Sequence, residues 1–259
     1  MTPEQLILLI ETSAKQYTCM EAKINATGYV QEERSSQQIV QVVSEIHTRW
    51  SQDKEYWKIS RTTYPTAEQP KTHEEVVTYA FTPQQTKKLT EEPGKTPRGL
   101  VRFGNMCDAD KSFYTIHSAM WEHCDILWKK LHDQRDMTLK YDKIRNLYEF
   151  KVQTWGPGDL AYIFYVDPSR NFIPVKKDIF SQAGLLKHIE CDQFQKNNNV
   201  WIPYRYSWTE PQQNWMECYE VEKVSANVPI EDRLFDFDFP AGTIIIDEMA
   251  YLKQKFKVV

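Results

Sequence analysis

The stretch MEAKINATGYV, residues 20–30, decides the fold class because its side chains alternate with a period of two. One face is apolar or small and the other is polar. The first face comprises Met20, Ala22, Ile24, Ala26, Gly28 and Val30, and the second comprises Glu21, Lys23, Asn25, Thr27 and Gln31. Since successive side chains of a β-strand point to opposite faces, the pattern predicts a half-buried strand.

A helix is predicted immediately before this strand. Thr2 can cap it, Pro3 suits the first turn, and Gln5 completes a Thr-x-x-Gln capping box. Apolar residues then recur at helical spacing. They are Leu6, Leu9, Ile10, Ala14 and Tyr17. The chain is therefore expected to open with one amphipathic helix that buries a single stripe.

The period of two returns several times after residue 30. A polar turn at 32–38 precedes a strand that would bury Val40, Val42, Ile46 and Trp50, and strands through Trp57–Ile59 and Val77–Phe81 follow. Later strands are expected at 137–141, 148–152, 160–166, 172–176, 186–195, 200–208 and 215–224. These segments predict a mainly β (α+β) fold, a strongly curved antiparallel half-barrel of about eleven strands with helices covering its concave face.

One segment interrupts the strand pattern, and we expect a single domain, 1–259, with an inserted loop and helix at about 84–136. Residues 83–104 are rich in Lys, Thr, Glu, Pro and Gly, which indicates a loop with one short strand. An amphipathic helix is expected next, because five residues follow at steps of four, three, four and three. They are His117, Trp121, Cys124, Trp128 and Leu131.

Composition excludes several classes of protein. The 259 residues have a mean hydropathy of −0.62, a net charge of −4 and a pI near 5.9, which argues against a membrane-embedded chain and against nucleic acid as a partner. The longest apolar run near the start, Leu6–Ile10, is too short for a transmembrane segment, and no basic segment precedes it as in a signal peptide. Five separated cysteines do not suggest a disulfide framework.

Motifs for catalysis are weak. Gly99 and Gly104 give the spacing of a phosphate loop without its Lys-Ser/Thr ending. The best zinc candidate is the set Cys107, His117, His123 and Cys124, but His123 would lie about 100° around the helix from Cys124. Asp236 and Asp238 alternate with Phe235, Phe237 and Phe239, which is also the pattern of a strand with acids in solvent. We therefore predict no catalytic residue, no metal and no cofactor.

Four longer segments resemble the LolA/LolB-like periplasmic lipoprotein-carrier superfamily, the half-barrel fold of outer-membrane lipoprotein carriers and receptors. The opening helix and Tyr17 lead into a long first strand ending at Gly28, and Tyr162–Pro168 followed by Asn171–Lys176 is similar to the family's strand, Asp-Pro turn and next strand. Asn199–Pro203 resembles its Trp-x-Pro strand, and Val228–Thr243 its final Phe-x-Phe-x-x-Pro segment. The family has no segment that corresponds to residues 84–136 of this sequence. In turn, no lipobox and no residue that matches the carrier's functional arginine is found in this sequence.

The resemblance implies a non-enzymatic protein, periplasmic or otherwise extracytoplasmic, with its signal peptide or anchor absent from this chain. Its cavity would hold a lipid, a lipoprotein acyl chain or another apolar ligand, and its partners would be lipids, lipid-modified proteins or membrane-associated proteins. The candidate cavity-lining residues are Ile24, Ala26, Val42, Ile46, Trp57, Ile59, Tyr79, Phe81, Trp121, Phe150, Tyr162, Phe164, Tyr204 and Tyr206. Two alternatives stay open: a sensor or interaction domain of a membrane-anchored regulator, and a metal-dependent hydrolase.

Overall fold

The computed structural model describes residues 1–31, 38–51, 54–65, 71–103, 116–121, 137–153 and 160–248. Its helices are α1 (Pro3–Ala14) and α2 (Ile116–Trp121). The first seven strands are β1 (Cys19–Gln31), β2 (Gln38–Ser51), β3 (Lys54–Thr63), β4 (His73–Phe81), β5 (Gln85–Glu91), β6 (Arg98–Phe103) and β7 (Met137–Asp142). The others are β8 (Leu147–Gln153), β9 (Ala161–Asp167), β10 (Ile173–Ser181), β11 (Gly184–Asn197), β12 (Val200–Glu210), β13 (Trp215–Ala226) and β14 (Ile244–Asp247).

The described strands form one open sheet of 14 strands. Their order is β14-β6-β5-β4-β3-β2-β1-β13-β12-β11-β10-β9-β8-β7, so the first and last strands are unpaired edges. The ladders are antiparallel wherever their register is described, except that β14 runs parallel to β6. The predicted fold class, mainly β with an open antiparallel sheet, is confirmed. The sheet has three more strands than expected, namely β5, β6 and β14.

Helix α1 has the predicted start. The Thr2 hydroxyl accepts a hydrogen bond from the Gln5 backbone N–H at 3.3 Å, and the Gln5 side chain accepts one from the Thr2 N–H at 2.9 Å. This reciprocal pair satisfies two N–H groups that have no partner within the helix. The buried stripe consists of Leu6, Ile7, Ile10 and Ser13, with Tyr17 after the helix. Leu9 and Ala14 are half-buried, so the stripe is rotated slightly from its predicted position.

Backbone contacts divide the chain into two compact units. The first comprises Met1–Tyr17, Gly28–Ile39 and Thr115–Glu220, and the second comprises Thr18–Thr27, Val40–Tyr114 and Val221–Val259. In the first unit, α1 packs against β10 and β7, and α2 packs against β10, β11 and β12. Each unit has its own apolar core.

The loop predicted at 83–104 is wrong in its larger part, because β5 and β6 lie there. Thr86 and Leu89 of β5 are buried, and β-branched and apolar residues at such positions favour a strand. The two lysines that suggested a loop both have partners in the strand. The Lys88 ammonium lies 5.2 Å from the Tyr79 ring centroid, and Lys87 forms a 2.6 Å ion pair with Asp236. Long lysine stems can thus cover apolar surface while their charged ends find partners.

Two further local predictions are corrected. Val40 in β2 was expected to be buried and is 40% exposed, because the buried face of that strand begins at Ser44. The segment around Asp236 and Asp238 was expected to be a strand, yet it follows a short 3-10 turn (Asp232–Phe235) and pairs with no described strand. Both carboxylates are nevertheless exposed.

Gly99 in β6 lets an aromatic ring approach the backbone closely. A Cβ atom at this position would lie 2.7 Å from Phe239 Cε1 and 3.2 Å from Ile245 Cγ1, both closer than ordinary contacts. We expect Gly99→Ala to lower the free energy of unfolding by about 1–3 kcal/mol, measured by chemical denaturation. The double variant with Phe239→Leu should recover part of the loss, and an unchanged loss would contradict this explanation.

Candidate functional site: the apolar face of the first unit

A row of buried side chains crosses the sheet of the first unit. Phe150 of β8 lies opposite Phe164 of β9, which lies opposite Lys177 of β10, which lies opposite Ile189 of β11. Directly opposed residues share a face of the sheet. All four side chains are at most 3% exposed. The row is therefore apolar and desolvated except for one lysine.

Two stacked aromatic pairs belong to the same face, one along β9 and one across β12 and β13. Tyr162 stacks on Phe164, with ring centroids 6.3 Å apart and planes 18° apart. Tyr206 of β12 stacks on Tyr219 of β13 at 4.6 Å with nearly parallel planes. Such pairs add about 0.5–1.5 kcal/mol to the gain from burial. The face is thus continuous over strands β8 to β13.

The two helices cover this face. The buried residues of α2 are Ile116, Ala119, Met120 and Trp121. The Trp121 ring meets the Tyr17 ring edge-on at 5.4 Å, and the Tyr17 hydroxyl donates a 2.6 Å hydrogen bond to the Trp201 carbonyl oxygen. Lys177 Nζ donates to the Met120 carbonyl oxygen at 3.5 Å. These contacts fix the short helix over strands β10 to β12.

Desolvation changes the acid-base behaviour of groups on this face. Burial raises the pKa of the Cys191 thiol to about 12, and the nearby Lys177 ammonium offsets this only in part. Burial also raises the pKa of the Tyr206 hydroxyl well above its ordinary value, and that of Tyr17 despite its hydrogen bond to Trp201. All three shifts favour the neutral form, as expected for an apolar environment.

Polar groups gather where β11, β12 and β13 continue beyond the aromatic pair. Trp208 Nε1 donates to Glu217 Oε2 at 2.6 Å, and the Tyr219 hydroxyl donates to the same oxygen. Lys187 Nζ lies 4.1 Å from the Trp208 ring centroid and 3.4 Å from Glu210 Oε1. Tyr219 is buried, and the other four side chains are half-buried: Lys187, Trp208, Glu210 and Glu217. The apolar face therefore borders a half-exposed polar cluster.

The second unit contains a separate aromatic cluster. The Trp57 ring lies 5.0 Å from the Phe81 ring and 5.8 Å from the Tyr79 ring, and Trp57 is directly opposite Tyr79 in the ladder. Ile59 lies opposite Ile46 on the same side. The cluster is aromatic and aliphatic, with the Lys88 ammonium against its half-buried member Tyr79.

Two solved structures have an architecture similar to this one. The chain is similar to a DUF1329 family protein from Desulfovibrio piger, with a TM-score of 0.51, 12% identity, and coverage of 90% of this chain and 95% of that one. It is also similar to a LolA superfamily protein from Nitrosomonas europaea, with a TM-score of 0.50, 10% identity, and coverage of 92% and 99%. The chain shares the fold of these two proteins. No protein-family model and no curated protein matches the sequence.

The candidate residues of this LolA-like fold fall into two groups. Trp121, Phe150, Tyr162, Phe164, Tyr204 and Tyr206 lie in the first unit, and Ile24, Ala26, Val42, Ile46, Trp57, Ile59, Tyr79 and Phe81 lie in the second. Most are buried, whereas Val42, Tyr79 and Tyr204 are half-buried. Whether they line a ligand cavity stays a prediction.

Several residues of the face were not anticipated from the sequence. Lys177, Cys191 and Ile189 share it with the aromatics, and Tyr17 joins it from outside the sheet. The alternation of β11 could have indicated Ile189 and Cys191, since both have the same parity. No pattern in the sequence indicated Lys177. The register of β10 shifts between Pro174 and Lys176, and this shift places Lys177 on the opposite face of the sheet from the one that simple alternation predicts.

The LolA-like fold also forms grooves on its polar faces. One of about 450 Å³ lies on the second unit, where Val43, Arg61, Glu75, Val76 and Glu91 are among the lining residues. Arg61 lies 3.6 Å from Glu75 and balances only part of the negative charge of Glu75 and Glu91. Charged and apolar side chains both line this groove, and none of the candidate cavity residues does.

The proposed zinc ligands are mostly outside the described residues. Cys107, His123 and Cys124 are not described, and neither is the side chain of His117. Within the described ranges, no group of three His, Cys, Asp or Glu side chains could hold a metal ion. No helix in those ranges is long and apolar enough to cross a membrane.

Proposed function

We propose that this chain is a non-enzymatic, extracytoplasmic protein that binds a lipid, a lipoprotein acyl chain or another apolar ligand on the apolar face of β8 to β13. The observation that carries the proposal is the buried row from Phe150 to Ile189, which is apolar except for Lys177, with α2 packed against β10 to β12 beside it. In the carrier superfamily that the sequence resembles, this side of the fold holds acyl chains. A periplasmic location and lipid-modified partners follow from the same resemblance.

The helix that covers the face is well suited to be replaced by a ligand. The described part of α2, Ile116–Trp121, packs on β10, β11 and β12. Its position depends on the apolar side chains that it places on the sheet, above all Met120 and Trp121. An acyl chain on the same surface would provide equivalent apolar contacts. Exchange between helix and ligand would then leave the face covered by apolar groups in both states.

The remaining candidate residues extend the proposal. The Trp57, Tyr79 and Phe81 cluster would give the second unit an apolar wall of the same chemistry. We retain the single-domain organisation over residues 1–259, since one strand order includes strands of both units.

Removing the largest side chain of α2 tests this proposal. We expect Trp121→Ala to bind the fluorescent fatty acid cis-parinaric acid about tenfold more tightly than the unmodified protein, because less of the helix competes for the face. Titration by fluorescence enhancement measures both affinities. Trp215→Ala, which truncates a half-buried tryptophan elsewhere in the first unit, is the matched control. Absence of saturable binding by either protein, or an equal gain in the control, would contradict the proposal.

A further inference from the structure

The turn between β7 and β8 is held in one conformation. Asp142 Oδ1 accepts hydrogen bonds from the backbone N–H groups of Ile144 at 2.9 Å and Arg145 at 3.1 Å. Asn146 adopts a left-handed conformation with φ of 54°, and its side-chain oxygen accepts a 2.6 Å hydrogen bond from the Tyr141 hydroxyl. Asn and Asp are well suited to these positions. The turn is therefore ordered by its own hydrogen bonds.

This turn presents an isoleucine to solvent. Ile144 is 97% exposed, the highest value of any large hydrophobic side chain in the described ranges. Tyr141, at the end of β7, is 46% exposed, and its ring packs 4.8 Å from that of Tyr148. Single exposed apolar residues are common, but an ordered turn that keeps the whole side chain in water is a stronger signal. Ile144 stands out from the surface and touches none of the core.

The charges around Ile144 are predominantly positive. Lys140, Lys143 and Arg145 are all exposed, in a protein whose net charge is −4. Two acids lie beside them: Asp142 is 3.6 Å from Arg145, and Glu149 lies opposite Lys140 in the ladder, so the surroundings of Ile144 carry a small excess of positive charge that centres on Lys143. A fully exposed apolar side chain flanked in sequence by Lys143 and Arg145 is complementary to an anionic lipid surface.

We propose that the β7–β8 turn docks on an anionic phospholipid bilayer, with Ile144 inserted among the acyl chains and Tyr141 at the headgroup level. A tyrosine suits that level because its ring is apolar and its hydroxyl is polar. A stable protein interface needs about 800 Å² on each partner, which one isoleucine in a four-residue turn does not offer. This surface is separate from the face proposed to bind an acyl ligand, so the docking does not depend on that function.

Vesicle sedimentation tests the docking. We expect the protein to bind vesicles of 70% phosphatidylcholine and 30% phosphatidylglycerol, and to bind pure phosphatidylcholine vesicles at least tenfold more weakly. Binding to the anionic vesicles should fall as salt is raised, because the cations are exposed. Ile144→Glu and the double variant Lys143→Glu/Arg145→Glu should each lower the partition coefficient roughly tenfold or more.

Two control variants change the charge away from the turn: one by as much as Ile144→Glu, and one by half as much as the double variant. Leu8→Glu replaces a leucine that is 53% exposed on α1, and Lys58→Glu reverses an exposed charge on β3. Both should retain the binding, and circular dichroism should show that every variant is folded. The proposal is overturned if the wild-type protein ignores anionic vesicles, if Leu8→Glu loses as much binding as Ile144→Glu, or if Ile144→Glu changes only the oligomeric state.

Discussion

Replacing Trp57 with alanine is expected to lower the free energy of unfolding by about 3–5 kcal/mol. The side chain is 1% exposed and forms the centre of the cluster with Tyr79 and Phe81 in the second unit. Its removal takes away apolar burial and two ring contacts, and it leaves a cavity between adjacent strands that cannot close fully. Chemical denaturation followed by circular dichroism measures the loss.

Tyr64 provides the matched control for this change. It follows β3 directly, and its ring is 42% exposed. Its backbone N–H donates to the Gln41 carbonyl oxygen at 2.8 Å, and this bond does not depend on the side chain. Tyr64→Ala should therefore change the stability by less than about 0.5 kcal/mol. Similar losses in the two variants would mean that the aromatic cluster is not the core of this unit.

The thiol of Cys191 is expected to react with iodoacetamide roughly a thousandfold more slowly at pH 8 than the same thiol in the unfolded chain. The thiolate is the reactive form, and burial raises the pKa of this thiol to about 12, against an ordinary value near 8.5. The reaction in the folded protein should accelerate about tenfold per pH unit towards pH 12. Mass spectrometry of the modified peptides measures the rate at each cysteine.

Cys218 serves as the comparison within the same chain. Burial raises the pKa of its thiol as well, but the side chain is only half-buried and should be modified before Cys191. Because the pKa of Cys191 is raised in the folded state, its contribution to stability is complete below about pH 8.5 and is lost as the pH rises towards 12. Equal rates for the folded and unfolded chains at Cys191 would show that the apolar face is open to solvent.

The elements predicted correctly from the sequence are those in which local signals agree. Thr2, Pro3 and Gln5 form a complete capping box, and the alternation from Met20 to Val30 is uninterrupted, so α1 and β1 were correct in type and position. Strands β10 to β13 were also found, since each combines alternation with a turn at its end. The resemblance to the LolA superfamily agrees with the fold that the structural comparison shows.

The errors arose where tertiary contacts override local composition. β5 contains two lysines in succession, and only the neighbouring Tyr79 ring and Asp236 explain why they are accepted in a strand. β14 has three exposed isoleucines and no alternation, because among the described strands it is an edge strand and pairs only with β6. Lys177 reaches the apolar face through the shifted register of β10, which no spacing rule in the sequence records.

The grouping of the candidate site was predicted only in part. Alternation identified Phe150, Tyr162, Phe164 and Tyr206 as residues of one buried face, and the structure brings them together. It could not show that they belong to a different unit from Trp57 and Phe81, because the pairing of distant strands depends on the whole sheet. The polar cluster around Trp208 and Glu217 was missed for the same reason.

Native mass spectrometry of the protein purified from cells without detergent tests the central claim most directly, together with lipid extraction and identification of the extract. The claim is that the face from Phe150 to Ile189 accepts an apolar chain. We expect a bound species with the mass of an acyl lipid, in about one copy per chain, that is displaced by cis-parinaric acid. A protein that carries no lipid, and that binds neither oleic acid nor cis-parinaric acid after exposure to each, would contradict the claim.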